Sequence, residues 1–261
     1  MSRDLRQFFW KWITFVWVLS CLGLGMVACT SSSTLISSSD YSIKLFSPSY
    51  SNVYLLEHSG KHLLVDSGFS KDSQKLEEFL KDNQVTQASL KGIVLTHGHA
   101  DHAGGAHGIQ KKWGTPILAG KEDEVLFSQG RNDKLCPVGW VARRLESSAQ
   151  AETYDPYRPT IWVNVELNLE DTLGFPAQVI PIPGHTPGSL FVVFEQGLFV
   201  GDLVRGAMVG GGPEIHFFQC DLWGNKENMS KLMKRFEKSN HTVFPGHMSH
   251  FGLVEISELL N

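Results

Sequence analysis

The chain has 261 residues, 42% of them hydrophobic and 19% charged, an ordinary globular composition with length for one large domain or two small ones. A net charge of -4 and a pI near 6.2 argue against the basic face that a nucleic-acid binder needs, so no nucleic-acid partner is expected. No CxxC pair occurs among the four cysteines, which excludes a thiolate zinc knuckle and a thioredoxin-like redox motif.

Residues 1–29 read as a targeting leader. Arg3, Arg6 and Lys11 form its positive start, and Trp12 to Ala28 is an uncharged run near the short limit for spanning a bilayer. Met26-Val27-Ala28-Cys29 resembles a bacterial lipobox, with Met26 where leucine is commoner, which makes Cys29 the expected lipidation site. Two anchors stay open, a lipid on Cys29 or an uncleaved signal anchor. Either places the domain outside the cytoplasm, on a membrane of the bacterial cell envelope. Residues 30–40 are serine-rich and read as a flexible tether. Residues 41–261 are the domain.

The domain opens with strands. Tyr41 to Phe46 alternates, and Asn52 to Leu56 with His58 to Asp66 reads as a hairpin. Ser70 to Leu80 has Leu76, Phe79 and Leu80 on one face, the pattern of an amphipathic helix with Ser70 as N-cap. The apolar run Ile93-Val94-Leu95 is a buried strand, followed by Thr96-His97-Gly98-His99-Ala100-Asp101-His102-Ala103-Gly104-Gly105 and a helix to about Lys112. A short strand at Pro116-Ile117-Leu118 precedes a short helix from Lys121 to Phe127.

Residues 130–160 read as an insertion carrying Cys136, Trp140, Arg143, Arg144, Tyr154 and Tyr157. Either its aromatics and arginines overhang a site, or it packs its own aromatics on the surface. Cys136 and Cys220 either form a disulfide or remain two thiols. Regular structure returns with strands at Ile161-Trp162-Val163 and Gln178 to Ile182, then a hairpin of Leu190 to Phe194 and Leu198 to Asp202. A helix from Asn225 to Lys238, a strand at Thr242-Val243-Phe244 and a helix from Val254 to Leu260 complete the chain. Two successive groups of strands, each followed by helices, predict two stacked sheets with helices outside.

Four strand ends share one design, an apolar run, a glycine-bearing turn and then a metal-type ligand. They are His97-Gly98-His99-Ala100-Asp101-His102, Gly184-His185, Gly201-Asp202 and Gly246-His247. A glycine lets the backbone turn sharply, and the rigid strand fixes the side chain beyond it. Together they supply five histidines and two aspartates, the inventory for two divalent ions.

Thr-His-Gly-His-Ala-Asp-His, Pro-Gly-His-Thr-Pro-Gly-Ser, Val-Gly-Asp and Phe-Pro-Gly-His, in this order and after Val65-Asp66-Ser67-Gly68, resemble the metallo-β-lactamase superfamily. The resemblance runs from about Tyr41 to the end of the chain, apart from residues 130–160. It implies an α+β fold, an αββα four-layer sandwich with its site at one edge between the sheets. It also implies one metal on His97, His99 and His185, a second on Asp101, His102 and His247, and Asp202 bridging both. Imidazole and carboxylate ligands suit zinc, and also iron or manganese.

The resemblance further implies a hydroxide held between the ions that attacks a carbonyl, with Asp101 orienting it or moving a proton. Asp66 then holds a ligand or its loop. His99 stands where oxygen-reducing flavodiiron relatives carry glutamate, which favours hydrolysis. Asp202 matches the hydroxyacylglutathione hydrolases (glyoxalase II type) and acyl-homoserine lactonases rather than the true β-lactamases.

The expected function is therefore hydrolysis of a small-molecule thioester, lactone or related ester. The alternatives are a β-lactam-hydrolysing enzyme and a non-catalytic metal-binding envelope lipoprotein. Arg205 is weighed as an anchor for an anionic substrate against a surface arginine, and His216 and Trp223 as pocket lining against packing or surface residues. His107 is expected to be solvated, and His250 to stand close behind a ligand. Radioactive palmitate is expected to label wild-type chain and not Cys29→Ala. An unlabelled, membrane-bound wild type would leave the uncleaved anchor.

Overall fold

A computed structural model describes residues 31–237 and 239–260. The leader and Cys29 lie outside these residues. Two sheets face each other, each built by the alternation of apolar side chains along its strands.

The first sheet runs in the order β1 (Ser31–Ser37), β2 (Tyr41–Ser47), β3 (Val53–His58), β4 (Lys61–Val65), β5 (Leu90–Val94), β6 (Ile117–Gly120) and β7 (Ile161–Val163). Strands β1 to β4 pair antiparallel and β4 to β7 parallel. The second sheet begins with β8 (Leu167–Asn168), β9 (Gln178–Pro181), β10 (Leu190–Phe194) and β11 (Gly197–Gly201). The chain then forms a separate ribbon of β12 (Arg205–Gly206) and β13 (Pro213–Glu214). It returns to the sheet as β14 (Thr242–Pro245) and β15 (Phe251–Gly252), giving the order β15-β14-β11-β10-β9-β8.

Alternation sorts the side chains into three cores. In β3 and β4, Tyr54, Leu56, Leu63 and Val65 point between the sheets, where they meet Val192, Phe194, Phe199 and Phe244 from the second sheet. The intervening Val53, Leu55 and Leu64 point outward onto α1 (Ser73–Asp82) through Leu76, Phe79 and Leu80. The chain also forms α2 (Ala100–Ala103), α3 (Ala106–Trp113), α4 (Glu124–Gln129), α5 (Gly139–Gln150) and the short α6 (Leu169–Leu173), whose Leu169 packs in the core between the sheets. On the other side, Phe191, Leu198, Val200 and Val243 pack against Met229 and Leu232 of α7 (Leu222–Met233) and Ile256 of α8 (Leu253–Leu260). The layers are helix, sheet, sheet, helix, as the αββα expectation has it.

Several local expectations change. The serine-rich stretch is not a free tether, because Ser31–Ser37 forms β1, paired along β2 from Ser31↔Ser47 to Ser37↔Ser42. Leu35 and Ile36 pack on the inter-sheet core, and β1 covers the backbone edge that β2 would otherwise leave open. Ser70 does not cap α1; it starts a 3₁₀ turn, and its hydroxyl donates to Gly104 O instead. The helix after the histidine cluster is two, α2 and α3, separated by Gly104 and Gly105. Residues 130–160 hold a regular helix, α5. Cys136 and Cys220 are bonded, with their Cα atoms 4.9 Å apart. Among the described residues no helix is long and apolar enough to cross a membrane.

Phe199 is fully buried, stacked on Phe244 at 4.9 Å and edge-on to Tyr54 at 5.1 Å. Phe199→Ala is expected to cost about 3–5 kcal/mol of stability in urea unfolding. A loss under about 1 kcal/mol would show that this stack does not hold the sheets together.

Candidate metal centre

Every ligand-bearing loop leaves the same edge of the sandwich. Strands β4, β5 and β6 run parallel, and so do β11 and β14, with β9 brought into line by the antiparallel β10 between. Their C-terminal ends deliver Asp66, His97 to His102, Asp123, His185, Asp202 and His247 to one place. Glycine serves this edge mainly by close approach. Only Gly201 of the four motif glycines has a positive φ, +52°. A Cβ on Gly246 would lie 2.3 Å from Asp202 Oδ1 and 2.6 Å from His102 Cε1.

His97, His99 and His185 bring ligand atoms within 4.8 Å of one another, and so do Asp101, His102 and His247. The Asp202 carboxylate lies between the two sets. Its Oδ2 is 3.6 Å from His185 Nε2 and 3.2 Å from His247 Nε2, and its Oδ1 is 3.4 Å from His102 Nε2. Asp101 Oδ2 lies 3.4 Å from His102 Nε2 and 3.3 Å from His247 Nε2. All seven side chains are buried.

The tautomers follow from what stands behind each ring. His99 Nε2 donates to Asp133 Oδ1 at 2.8 Å, His102 Nδ1 to Asp66 Oδ2 at 2.8 Å, His185 Nδ1 to Phe218 O at 2.9 Å and His247 Nδ1 to Tyr50 O at 2.9 Å. The Thr96 hydroxyl donates to the Asp66 carboxylate, so its oxygen accepts from His97 Nδ1 at 3.2 Å. In each neutral ring the proton is therefore outside and a lone pair points into the centre. His99 Nδ1 then faces His185 Nε2 at 3.0 Å and His102 Nε2 faces His247 Nε2 at 3.3 Å. Two lone pairs at such distances repel unless a cation or proton lies between them. His97 Nε2 and Asp202 Oδ1 are buried with no hydrogen-bond partner. These donors fit two divalent cations.

The protonation pattern follows from burial and charge. Burial, helped by the surrounding imidazoles, pushes His97 well down, and burial with His216 beside it does the same to His185. Burial would lower His102 and His247 too, but the charges of Asp101 and Asp202 outweigh it, raising His102 well up and His247 to about 10. Burial alone would raise Asp101 and Asp202. The imidazoles around them instead hold both well below the usual carboxylate range.

The supporting residues are less visible in sequence. Asp66 adopts a left-handed backbone, φ 64°, and accepts from Thr96 N at 2.7 Å as well as from His102. Asp123, three residues past β6, accepts from Gly98 N at 2.9 Å, Thr186 Oγ1 at 2.8 Å and Gly188 N at 2.8 Å. It ties the His97–His99 loop of one sheet to the His185 loop of the other. Applying the strand-end rule to Ile117–Gly120 would have found it.

Residues 130–160 brace the cluster rather than packing only on themselves. Tyr154 Oη donates to Gly98 O at 2.9 Å, Tyr157 Oη to Ala103 O at 2.7 Å, and Asn132 Oδ1 accepts from Ala100 N at 2.8 Å. Arg143, Arg144 and Trp140 are exposed. Tyr50 stacks on His247 at 5.9 Å, and its hydroxyl bonds Glu152.

The remaining candidates divide. His216 is buried at the centre with Nε2 3.0 Å from Asp202 Oδ2. Arg205 is buried, ion-paired with Glu214 and stacked on Phe217 at 4.1 Å. His107 stacks on Tyr157, Trp223 is exposed, and His250 is exposed beside Phe244, so none of these three reaches the ligands. Cys220 is consumed by its disulfide.

An αββα sandwich with buried His/Asp clusters that could hold metal on one edge defines a fold class. The chain belongs to the metallo-beta-lactamase superfamily, whose family model matches residues 47–247. It is 29% identical over 199 residues to Beta-lactamase-like protein 2 homolog of Drosophila melanogaster, covering 75% of this chain and 58% of that protein. It is 29% identical over 140 residues to Hydroxyacylglutathione hydrolase GloC of Haemophilus influenzae, covering 51% and 59%. With the Hydroxyacylglutathione hydrolase of Vibrio campbellii the match is 26% over 211 residues, covering 79% and 64%. The chain thus spans about three fifths of the length of these relatives. Among solved structures, DIM-1 metallo-beta-lactamase superposes with a TM-score of 0.57 at 17% identity, covering 87% of this chain and 94% of that one.

Asp123→Ala is expected to leave the buried Gly98 and Gly188 N–H groups unpaired and to cost about 2–4 kcal/mol in urea unfolding of the metal-free chain. A loss below about 1 kcal/mol would mean that the two ligand loops hold their positions without it.

Proposed function

We propose that this chain is a metal-dependent hydrolase that cleaves a small-molecule thioester, lactone or related ester at a dinuclear centre. The observation that carries this reading is the set of five imidazoles whose lone pairs converge around one carboxylate, Asp202. The relatives named hydroxyacylglutathione hydrolase support the thioester class.

His97, His99 and His185 would hold one ion and Asp101, His102 and His247 the other, with Asp202 shared. Zinc suits these ligands, as iron and manganese do. A pair of such ions supplies an acidified water and a Lewis-acidic pull on the carbonyl oxygen. The chain's residues do the rest. Asp101 would orient the attacking water or move its proton. Asp66 and Thr96 keep His102 and His97 turned inward, and Asp133 does so for His99.

The β-lactam alternative has the shared fold behind it, with a TM-score of 0.57 to DIM-1. Against it stand Asp202 in the bridging place and Cys220 locked in a disulfide. We also propose an envelope location, through Cys29 or an uncleaved anchor. The leader supports it, and the Cys136–Cys220 bond suits an oxidising compartment.

Purified protein with its metal measured is to be assayed on a thioester, lactone, ester and nitrocefin panel. Turnover of one of the first three, lost with chelator and restored by zinc, is the expected result. Fast zinc-dependent nitrocefin hydrolysis with none of the others would put the β-lactam reading first. Asp202→Ala is expected to reduce bound metal below two ions per chain and to lower turnover by at least about a thousandfold. Two tightly bound ions in that variant would remove the shared role of Asp202.

A further inference from the structure

His216 differs from the five ligand imidazoles in one respect that decides its role. Each of those rings donates its proton outward. His216 Nδ1 instead faces the Phe218 N–H at 3.3 Å, and its Nε2 faces Asp202 Oδ2 at 3.0 Å. The Phe218 N–H is turned toward this ring because the bridge between Pro137 and Phe218 is carried by the flanking residues, Val138 N to Phe217 O and Gln219 N to Cys136 O, which leaves the Phe218 N–H and C=O facing away from that strand. Phe218 O also lies 3.3 Å from His216 Nδ1, but it already accepts from His185 Nδ1 at the shorter distance of 2.9 Å. Only the tautomer protonated on Nε2 satisfies both ends of the His216 ring, since the other sets a lone pair against a carboxylate and an N–H against an N–H.

His185, Asp202 and His216 lie close enough together to share an ion. The tautomer places a hydrogen where such an ion would need a lone pair. The same segment makes two more contacts with the centre, Gln219 Nε2 donating to Asp202 O at 3.0 Å and Phe218 O accepting from His185. Backbone bonds from Val138 N to Phe217 O and Gln219 N to Cys136 O fix that segment, and the Cys136–Cys220 disulfide closes it.

We propose that His216 is a positioning residue and not an eighth ligand. Its Nε2–H holds the Asp202 carboxylate at the rotation that lets it face both half-sites. The ring sits where this requires, 4.7 Å from His185 on one side and 5.3 Å from His247 on the other. The inference rests on the two-ion reading above, and its test reads metal affinity rather than turnover.

Zinc affinity and stoichiometry of the full chain are to be measured by chelator competition for wild type, His216→Gln, His216→Asn and His216→Leu. A glutamine amide can place an N–H near the Nε2 position, whereas asparagine reaches only the Nδ1 position. His216→Gln is therefore expected to bind two zinc ions within about threefold of wild type, and His216→Asn and His216→Leu about 10–100-fold more weakly. A purely structural histidine would lose the Gln and Asn amides alike. Equal affinities in all four proteins would overturn the proposal and leave the hydrolase reading intact. So would a third zinc ion in wild type that every variant loses. A wild type that binds no zinc would overturn both.

Discussion

Five imidazole lone pairs and two carboxylates aimed at one small buried space are the constraint on which this structure depends. Neighbouring ring nitrogens stand 3.0 and 3.3 Å apart, so their lone pairs repel unless a cation or proton lies between them. Such an arrangement is unfavourable by itself and persists only when the surroundings over-determine it. Parallel strand ends from two sheets supply the rigidity. The apolar core between the sheets, with Phe194, Phe199 and Phe244 at its middle, fixes those ends relative to one another.

The outward-facing nitrogens show how the burden is shared. A carboxylate stands behind His99 and His102, a main-chain carbonyl behind His185 and His247, and a hydroxyl that is itself anchored behind His97. The first sheet thus holds its histidines mainly with side chains of its own loops. The ligands from the second sheet are held by backbone that belongs to other parts of the chain, Tyr50 for His247 and Phe218 for His185. These two segments therefore tie the second sheet's histidines to the rest of the chain.

Much of this was legible in the sequence because period-two alternation and strand-end glycines leave a local imprint. The two sheets, the four ligand loops and the helices α1, α7 and α8 all follow from patterns confined to a few neighbouring residues. The failures share a different cause. Ser31–Ser37 is polar enough to read as tether, yet pairing along β2 and the burial of Leu35 and Ile36 make it a strand. His216 and Asp133 carry no local signal, because their roles come from partners 14 and 34 residues away, Asp202 and His99. Residues 130–160 could not be assigned from pattern for the same reason. Their tyrosines are anchored on carbonyls of the histidine loop, far back in the chain.

The centre and its cover divide the chemical tasks. The buried cluster suits metal ions, and it says little about substrate. Arg205 is paired with Glu214 and stacked on the Phe217 ring, and its Nε is buried without a hydrogen-bond partner. Tyr50, Met208, Val209 and Met248 are partly or largely exposed on loops that begin or end at Asp202 and His247 or run beside them. The exposed apolar side chains thus sit on short loops, while the strand ends carry the buried cluster.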